Sequence, residues 1–108
     1  MPPTKKTRPT ALITGASSGI GEELAGLFAA AGHDLVLVAR SAGKLKALAA
    51  TLVARHGVKV RVEPADLSRP AAAETLATRL KRGRVSVDVL VNNAGVLVQG
   101  RFAAMGAS

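Results

Sequence analysis

The chain has 108 residues, enough for a single hydrophobic core and no more than one domain. Apolar residues make up 48% of it but aromatics only 2%, and there is no Cys, so the core must be aliphatic, and disulfides and thiolate metal sites are excluded. Fifteen Lys and Arg against seven Asp and Glu leave a net charge of +8, which raises a polyanion as a partner. The cations are dispersed, though, and the stacking aromatics of single-strand binders are missing, so no nucleic-acid partner is assigned.

Residues 1–9 hold three prolines with Lys5, Lys6 and Arg8 and lack the apolar centre of a signal peptide. A disordered basic lead-in is expected there, with the folded domain over 10–108. No run approaches the ~18 apolar residues of a membrane span, so a soluble, cytoplasmic protein with no membrane partner is expected.

Ala11–Thr14 reads as a first strand. It breaks into Thr14-Gly15-Ala16-Ser17-Ser18-Gly19-Ile20-Gly21 and then opens a helix. A strand that turns through glycines into a helix is a way of holding phosphate: the main chain can approach the ligand closely, and the helix's first N–H groups face it. The spacing is G-x-x-x-G-x-G rather than the commoner G-x-G-x-x-G. The helix places Ile20, Leu24, Leu27, Phe28 and Ala31 on one face, and Gly32 stops it. Leu35–Ala39 is a continuous apolar run, suited to a strand buried on both faces.

Helical spacing returns over Ala42–Arg55, with Leu45, Leu48, Ala49 and Leu52 inward and Gly57 as the stop. Val58–Glu63 alternates, with valines on one side and Lys59, Arg61 and Glu63 on the other, the period of a half-exposed strand near a sheet edge. Asp66 or Ser68 is placed to cap a helix over about Pro70–Lys81 that buries Ala73, Leu76, Ala77 and Leu80. Arg79, Lys81 and Arg82 suit the dipole at its end. Val87–Val91 makes a fourth strand, ending at Asn92-Asn93-Ala94-Gly95.

Strictly alternating strands and helices, joined by right-handed crossovers, predict a doubly wound parallel sheet in order 3-2-1-4 with helices on both faces. The glycine loop then lies at the carboxyl end of strand 1, at the switch point where ligands of such folds bind.

Three motifs, each at the end of its own strand, carry a resemblance: the Thr14–Gly21 loop, Asp66-Leu67, and Asn92-Asn93-Ala94-Gly95. With them the stretch from about Thr10 to Phe102 is similar to the short-chain dehydrogenase/reductase family. The resemblance implies a Rossmann-type α/β/α fold, here ending after strand 4, and a nicotinamide dinucleotide cofactor. It implies that Gly15, Ser17, Ser18, Gly19, Ile20 and Gly21 surround the pyrophosphate and adenine ribose. Asp66 and Leu67 would flank the adenine, and Asn93, Ala94 and Gly95 the ribose side. At the end of strand 2 a carboxylate selects NAD, whereas a guanidinium pairs with the 2′-phosphate of NADP. Ala39-Arg40 stands there, so NADP is favoured over NAD.

The family moves a hydride to or from the nicotinamide and a proton through a tyrosine helped by a lysine and a serine, all after the fourth strand. No Tyr occurs among the 108 residues, so no catalytic residue is assigned. The chain is expected to be the nucleotide-binding half of an NADP-dependent oxidoreductase acting on a carbonyl or alcohol substrate, inactive alone. A non-catalytic NADP-binding or regulatory module is the alternative. Strand 4, without a further neighbour, offers an edge for self-association.

Other conspicuous residues carry ordinary readings. His33 and His56 are expected to face solvent or cap helices and are too few for a metal cluster. Glu22-Glu23 complements the dipole of a helix start, and Lys81-Arg82-Gly83-Arg84 reads as a solvated helix end.

Overall fold

Strand β1, Thr10–Thr14, is buried at all five positions, as a strand must be when it is paired on both edges and covered on both faces. The computed structural model describes residues 8–93. In it β1 pairs in parallel with β2 (Asp34–Ala39) and β4 (Val89–Asn92), and β2 pairs with β3 (Val60–Pro64). The order is β3-β2-β1-β4, as the alternation of elements predicts. Most of the expected lead-in, Ala94, Gly95 and the stretch 101–108 lie outside the described residues. Within the lead-in, Arg8 stands 3.8 Å from the Asp34 carboxylate, and the Pro9 carbonyl accepts from the Asp34 amide at 2.9 Å.

The strand period of two divides the core in half. Ala11, Ile13, Leu35, Leu37 and Ala39 face helices α1 (Gly19–Ala30) and α2 (Ala42–His56). Leu12, Val36 and Val38 face α3 (Ala72–Arg82) through Leu76, Ala77 and Leu80. Burying each of these leucines contributes about 1.5–3 kcal/mol. α2 ends on Gly57 at φ 69°, a left-handed cap that glycine adopts without strain.

Five expectations need correction. In α1 the buried stripe is Gly21, Ala25 and Ala29, with Leu24 and Phe28 on its flanks; Ile20 and Leu27 are 66% and 67% exposed. The helix lies so close to the β1 turn that only small residues fit beneath it, which displaces the large ones. Glu63, expected on the exposed side of its strand, is buried, because α3 covers that face of β3. α3 begins at Ala72 with no side-chain cap: Asp66 and Ser68 bond to each other in a separate turn before it. His33 is half-buried, its ring edge-on to Phe28 at 5.0 Å, and its buried Nδ1 has no partner among the described residues. β3 and β4 also begin two residues later than their apolar runs, after Val58 and Val87, which are buried outside the ladder.

Candidate nucleotide-binding site

The carboxyl ends of β1, β2 and β4 and the loop after β3 enclose an open cavity of about 590 Å³. Its lining includes Gly15, Ser17 and Ser18 from the glycine loop, Arg40 after β2, Asp66 and Leu67 after β3, and Asn93 after β4. Seven of the twelve residues expected at the site thus meet in one place. Gly19, Ile20 and Gly21 do not line it but form the first turn of α1 beside it. Ala94 and Gly95 lie outside the described residues.

The glycine loop is organised by two residues. Gly15 takes φ 64°, which turns the chain at the end of β1. Ser18 then caps α1: its hydroxyl accepts from the Gly21 amide at 3.0 Å and from Asn93 Nδ2 at 3.0 Å, and donates to the Gly15 carbonyl at 2.9 Å. One donor and two acceptor sites are all a hydroxyl has, so Ser18 is fully engaged within the protein. Ser17 also lines the cavity, and its hydroxyl takes no partner among the described residues.

Asn93 Nδ2 also donates to the Gly15 carbonyl at 3.2 Å, and the buried Thr14 hydroxyl donates to Asn92 Oδ1 at 3.0 Å. The end of β4 is thereby tied to the loop after β1. The amides of Gly19 and Ile20, in the first turn of α1, have no intrahelical acceptor and give that turn its positive character. A Cβ on Gly19 would meet nothing within 4 Å, whereas one on Gly21 would run into the Gly15 carbonyl. The fold therefore demands a glycine at 21. At 19 it leaves space that a ligand can use.

At the other end of the cavity the charge is positive. Arg40 is exposed and has no ion-pair partner among the described residues. Lys44, which sequence reasoning missed, lines the same cavity from the first turn of α2, a turn with no acidic residue. The signal was available: a cation where the helix dipole favours an anion. Ser41 caps that helix through the Lys44 amide at 3.4 Å. Asp66 lies across the cavity, its carboxyl held below the ordinary value. The chief cause is the Ser68 hydroxyl at 2.6 Å, followed by the Ser68 amide, with Arg40 and Arg69 adding positive potential. Both Ser68 bonds fall on Oδ1, leaving Oδ2 without a partner among the described residues.

A glycine turn opening a helix at the switch point of a parallel sheet, facing a cleft with a cationic end, defines a dinucleotide-binding fold. The short chain dehydrogenase family model matches residues 9–108, and the chain belongs to that family. It is 44% identical over 87 residues to a 1-deoxy-11-beta-hydroxypentalenate dehydrogenase from Streptomyces arenae, covering 81% of this chain and 30% of that protein. Among solved structures it resembles a short-chain dehydrogenase from Sphingobium yanoikuyae in complex with NADPH, with 43% identity, TM-score 0.74, and 92% and 47% of the two chains covered. L-sorbose reductase from Gluconobacter frateurii, complexed with NADPH and L-sorbose, matches with 37% identity and TM-score 0.76 over 82% of this chain and 34% of that one. The chain spans about a third of the length of the curated relatives it matches. No helix among the described residues is long and apolar enough to cross a membrane.

Proposed function

We propose that this chain binds NADP(H) in preference to NAD(H), as the nucleotide-binding part of a cytoplasmic reductase or dehydrogenase acting on a carbonyl or alcohol substrate. The observation that carries the reading is the cationic end of the cavity: Arg40 and Lys44 with no ion-pair partner among the described residues, beside a small Ala39 that offers a ribose no carboxylate. The NADPH complexes of the similar proteins support it. When bound, the nicotinamide supplies or accepts the hydride.

The chain's own residues bind and orient. The open space at Gly19 and the free first-turn amides of α1 receive the pyrophosphate, with Ser17 offering a hydroxyl that Ser18 cannot. Arg40 meets the 2′-phosphate with charge-assisted bonds, aided by Lys44. Asp66 and Leu67 wall the adenine, and Oδ2 of Asp66 is available to accept from its amino group. Asn93, followed by Ala94 and Gly95, closes the ribose side. With no Tyr among the 108 residues to move a proton, this chain by itself holds nucleotide without turnover. A non-catalytic NADP-binding module would use the same geometry. The domain is assigned to 10–108, and β4, paired only with β1 among the described residues, offers its free edge for self-association.

Arg40 is exposed, so its pair with the phosphate contributes at the lower end for a charged hydrogen bond, about 1.5 kcal/mol, or roughly tenfold in affinity. Titration at fixed salt of the chain and of Arg40→Ala with NADP and NAD tests this. Arg40→Ala weakens NADP and leaves NAD unchanged. Equal weakening of both makes Arg40 a general anion contact and removes the NADP assignment.

A further inference from the structure

Glu63 is a carboxylate buried to 3% exposure on the sheet's edge strand. Both of its oxygens are occupied, Oε2 by Arg61 Nε at 2.6 Å and Oε1 by Arg79 Nε at 2.9 Å. The Arg61 guanidinium also lies against Gly83 at the end of α3, where an added Cβ would come within 2.6 Å of Nη1. One face of β3 is thus joined to the last turn of α3 by an ionic brace. Burying a carboxylate is costly even when it is paired, and an apolar residue can pack a helix as well. On the neighbouring strand Val36 and Val38 do so, in register with Arg61 and Glu63. Apolar contacts, however, are non-directional, and they leave a helix freer to slide along a strand than an ion pair with both oxygens engaged.

What the brace controls is the segment between its two elements. Glu63 is followed by Pro64, Ala65, Asp66 and Leu67, and the loop runs on into α3, which starts without a side-chain cap at Ala71. The loop is tied at its start by the Ala65 amide to the Ala39 carbonyl at 2.9 Å. Behind it lies a second cavity of about 290 Å³, bordered by Asp66, Arg69, Ala72 and Thr75. Asp66 and Ala65 line both cavities, so the loop is a wall between them. Ala65 and Leu67 pack against the core that the sheet shares with Leu76, Ala77 and Leu80 of α3. The far end of the loop runs into α3, whose placement therefore bears on it.

We propose that Glu63, with Arg61 and Arg79, is a positioning residue for nucleotide binding. By fixing α3 along β3 it sets where Asp66 and Leu67 stand against the adenine. This rests on the nucleotide reading above.

The test uses the full chain with NADPH and 2′,5′-ADP as probes, in Glu63→Gln, Arg79→Met and the conservative Arg79→Lys. Arg79 is largely exposed, so its variants keep the fold even where Glu63→Gln does not. Glu63→Gln and Arg79→Met weaken both probes roughly three- to tenfold, and Arg79→Lys restores binding. Amide exchange at Ser68 and Arg69, whose N–H groups bond to Asp66, quickens in the same two variants while Leu12 and Ile13 in β1 keep their rates. Unchanged affinity in Arg79→Met overturns the proposal, and so does a uniform rise in exchange, which marks a merely structural pair. If the unaltered chain binds neither probe, the nucleotide reading fails instead. The exchange rates then decide the brace alone, and unchanged rates at Ser68 and Arg69 overturn it.

Discussion

Replacing Gly21 by Ala and, separately, Gly19 by Ala distinguishes a glycine that the fold needs from one that a ligand needs. A methyl at position 21 would overlap the Gly15 carbonyl oxygen and stand 2.9 Å from both the Gly15 carbonyl carbon and Ala16 Cα. These are backbone atoms with little room to move. Ala16 is fully buried and its amide bonds to the Val38 carbonyl at 3.1 Å, while the Gly15 carbonyl accepts from the Ser18 amide, the Ser18 hydroxyl and Asn93. Overpacking of this kind costs about 1–3 kcal/mol, and each bond lost at the Gly15 carbonyl adds about 1 kcal/mol. Alanine's helix preference returns about 1 kcal/mol, so Gly21→Ala should destabilise the chain by about 2–3 kcal/mol. At position 19 the methyl meets no protein atom within 4 Å, and the change is neutral or stabilising by about 0.5 kcal/mol. Urea unfolding followed by circular dichroism separates the two, since ~3 kcal/mol corresponds to a midpoint difference of at least about 1 M at ordinary slopes. In nucleotide titrations the order reverses. Gly19→Ala keeps its fold and loses at least about tenfold in NADPH affinity, because its methyl stands where the pyrophosphate meets α1. A wild-type unfolding midpoint for Gly21→Ala refutes the packing argument, and wild-type affinity for Gly19→Ala refutes the placement of the phosphate.

Ser18→Ala removes the α1 cap and the Asn93 tie and should cost about 1–2 kcal/mol, whereas Ser17→Ala should leave stability within about 0.5 kcal/mol and weaken NADPH. Equal effects on unfolding would contradict the division of roles between them. Because the Asp66 pKa is lowered in the folded chain, its contribution is fully present above the ordinary carboxylate value of 3.8 and is lost as pH falls through the folded value. Ser68→Ala removes the leading cause, so in a carbon-13 NMR titration the Asp66 carboxyl should protonate at higher pH than in the unaltered chain; coincident curves would discard the Ser68 bond as that cause. Arg84, after the end of α3, holds φ 58°, a conformation costly to any residue with a Cβ. Arg84→Gly relieves that cost and, net of glycine's own entropy, should raise stability by up to about 1 kcal/mol; a lowered urea midpoint would show that the arginine side chain outweighs the strain.

The sequence by itself determined the order of elements, the parallel sheet and the end of it at which the glycine loop lies. Each of these follows from local, one-dimensional signals. Apolar runs such as Leu35–Ala39 mark strands, leucines at helical spacing mark α2 and α3, and the chirality of crossovers narrows their arrangement to a few sheet orders, of which 3-2-1-4 is the one the structure has. The glycine turn at Gly15 was also legible, because a sharp passage from strand to helix places demands on residue type that few side chains meet. Ser18 was expected against the pyrophosphate, and only the structure shows its hydroxyl taken up in capping α1. What depends on the distance between elements was not legible. The buried face of α1 follows its smallest residues, Gly21, Ala25 and Ala29, because the helix lies against the β1 turn, and nothing in the helical period reveals how close that approach is. Glu63 reads as a solvent-facing strand residue until α3 is laid over it with Arg79 in reach. The tertiary structure also decided that Asp66 bonds Ser68 rather than capping α3, and that Lys44 joins Arg40 at the cationic end of the cleft. Each of these turns on which side chain arrives from a different element, and periodicity within one segment carries no information about its neighbour.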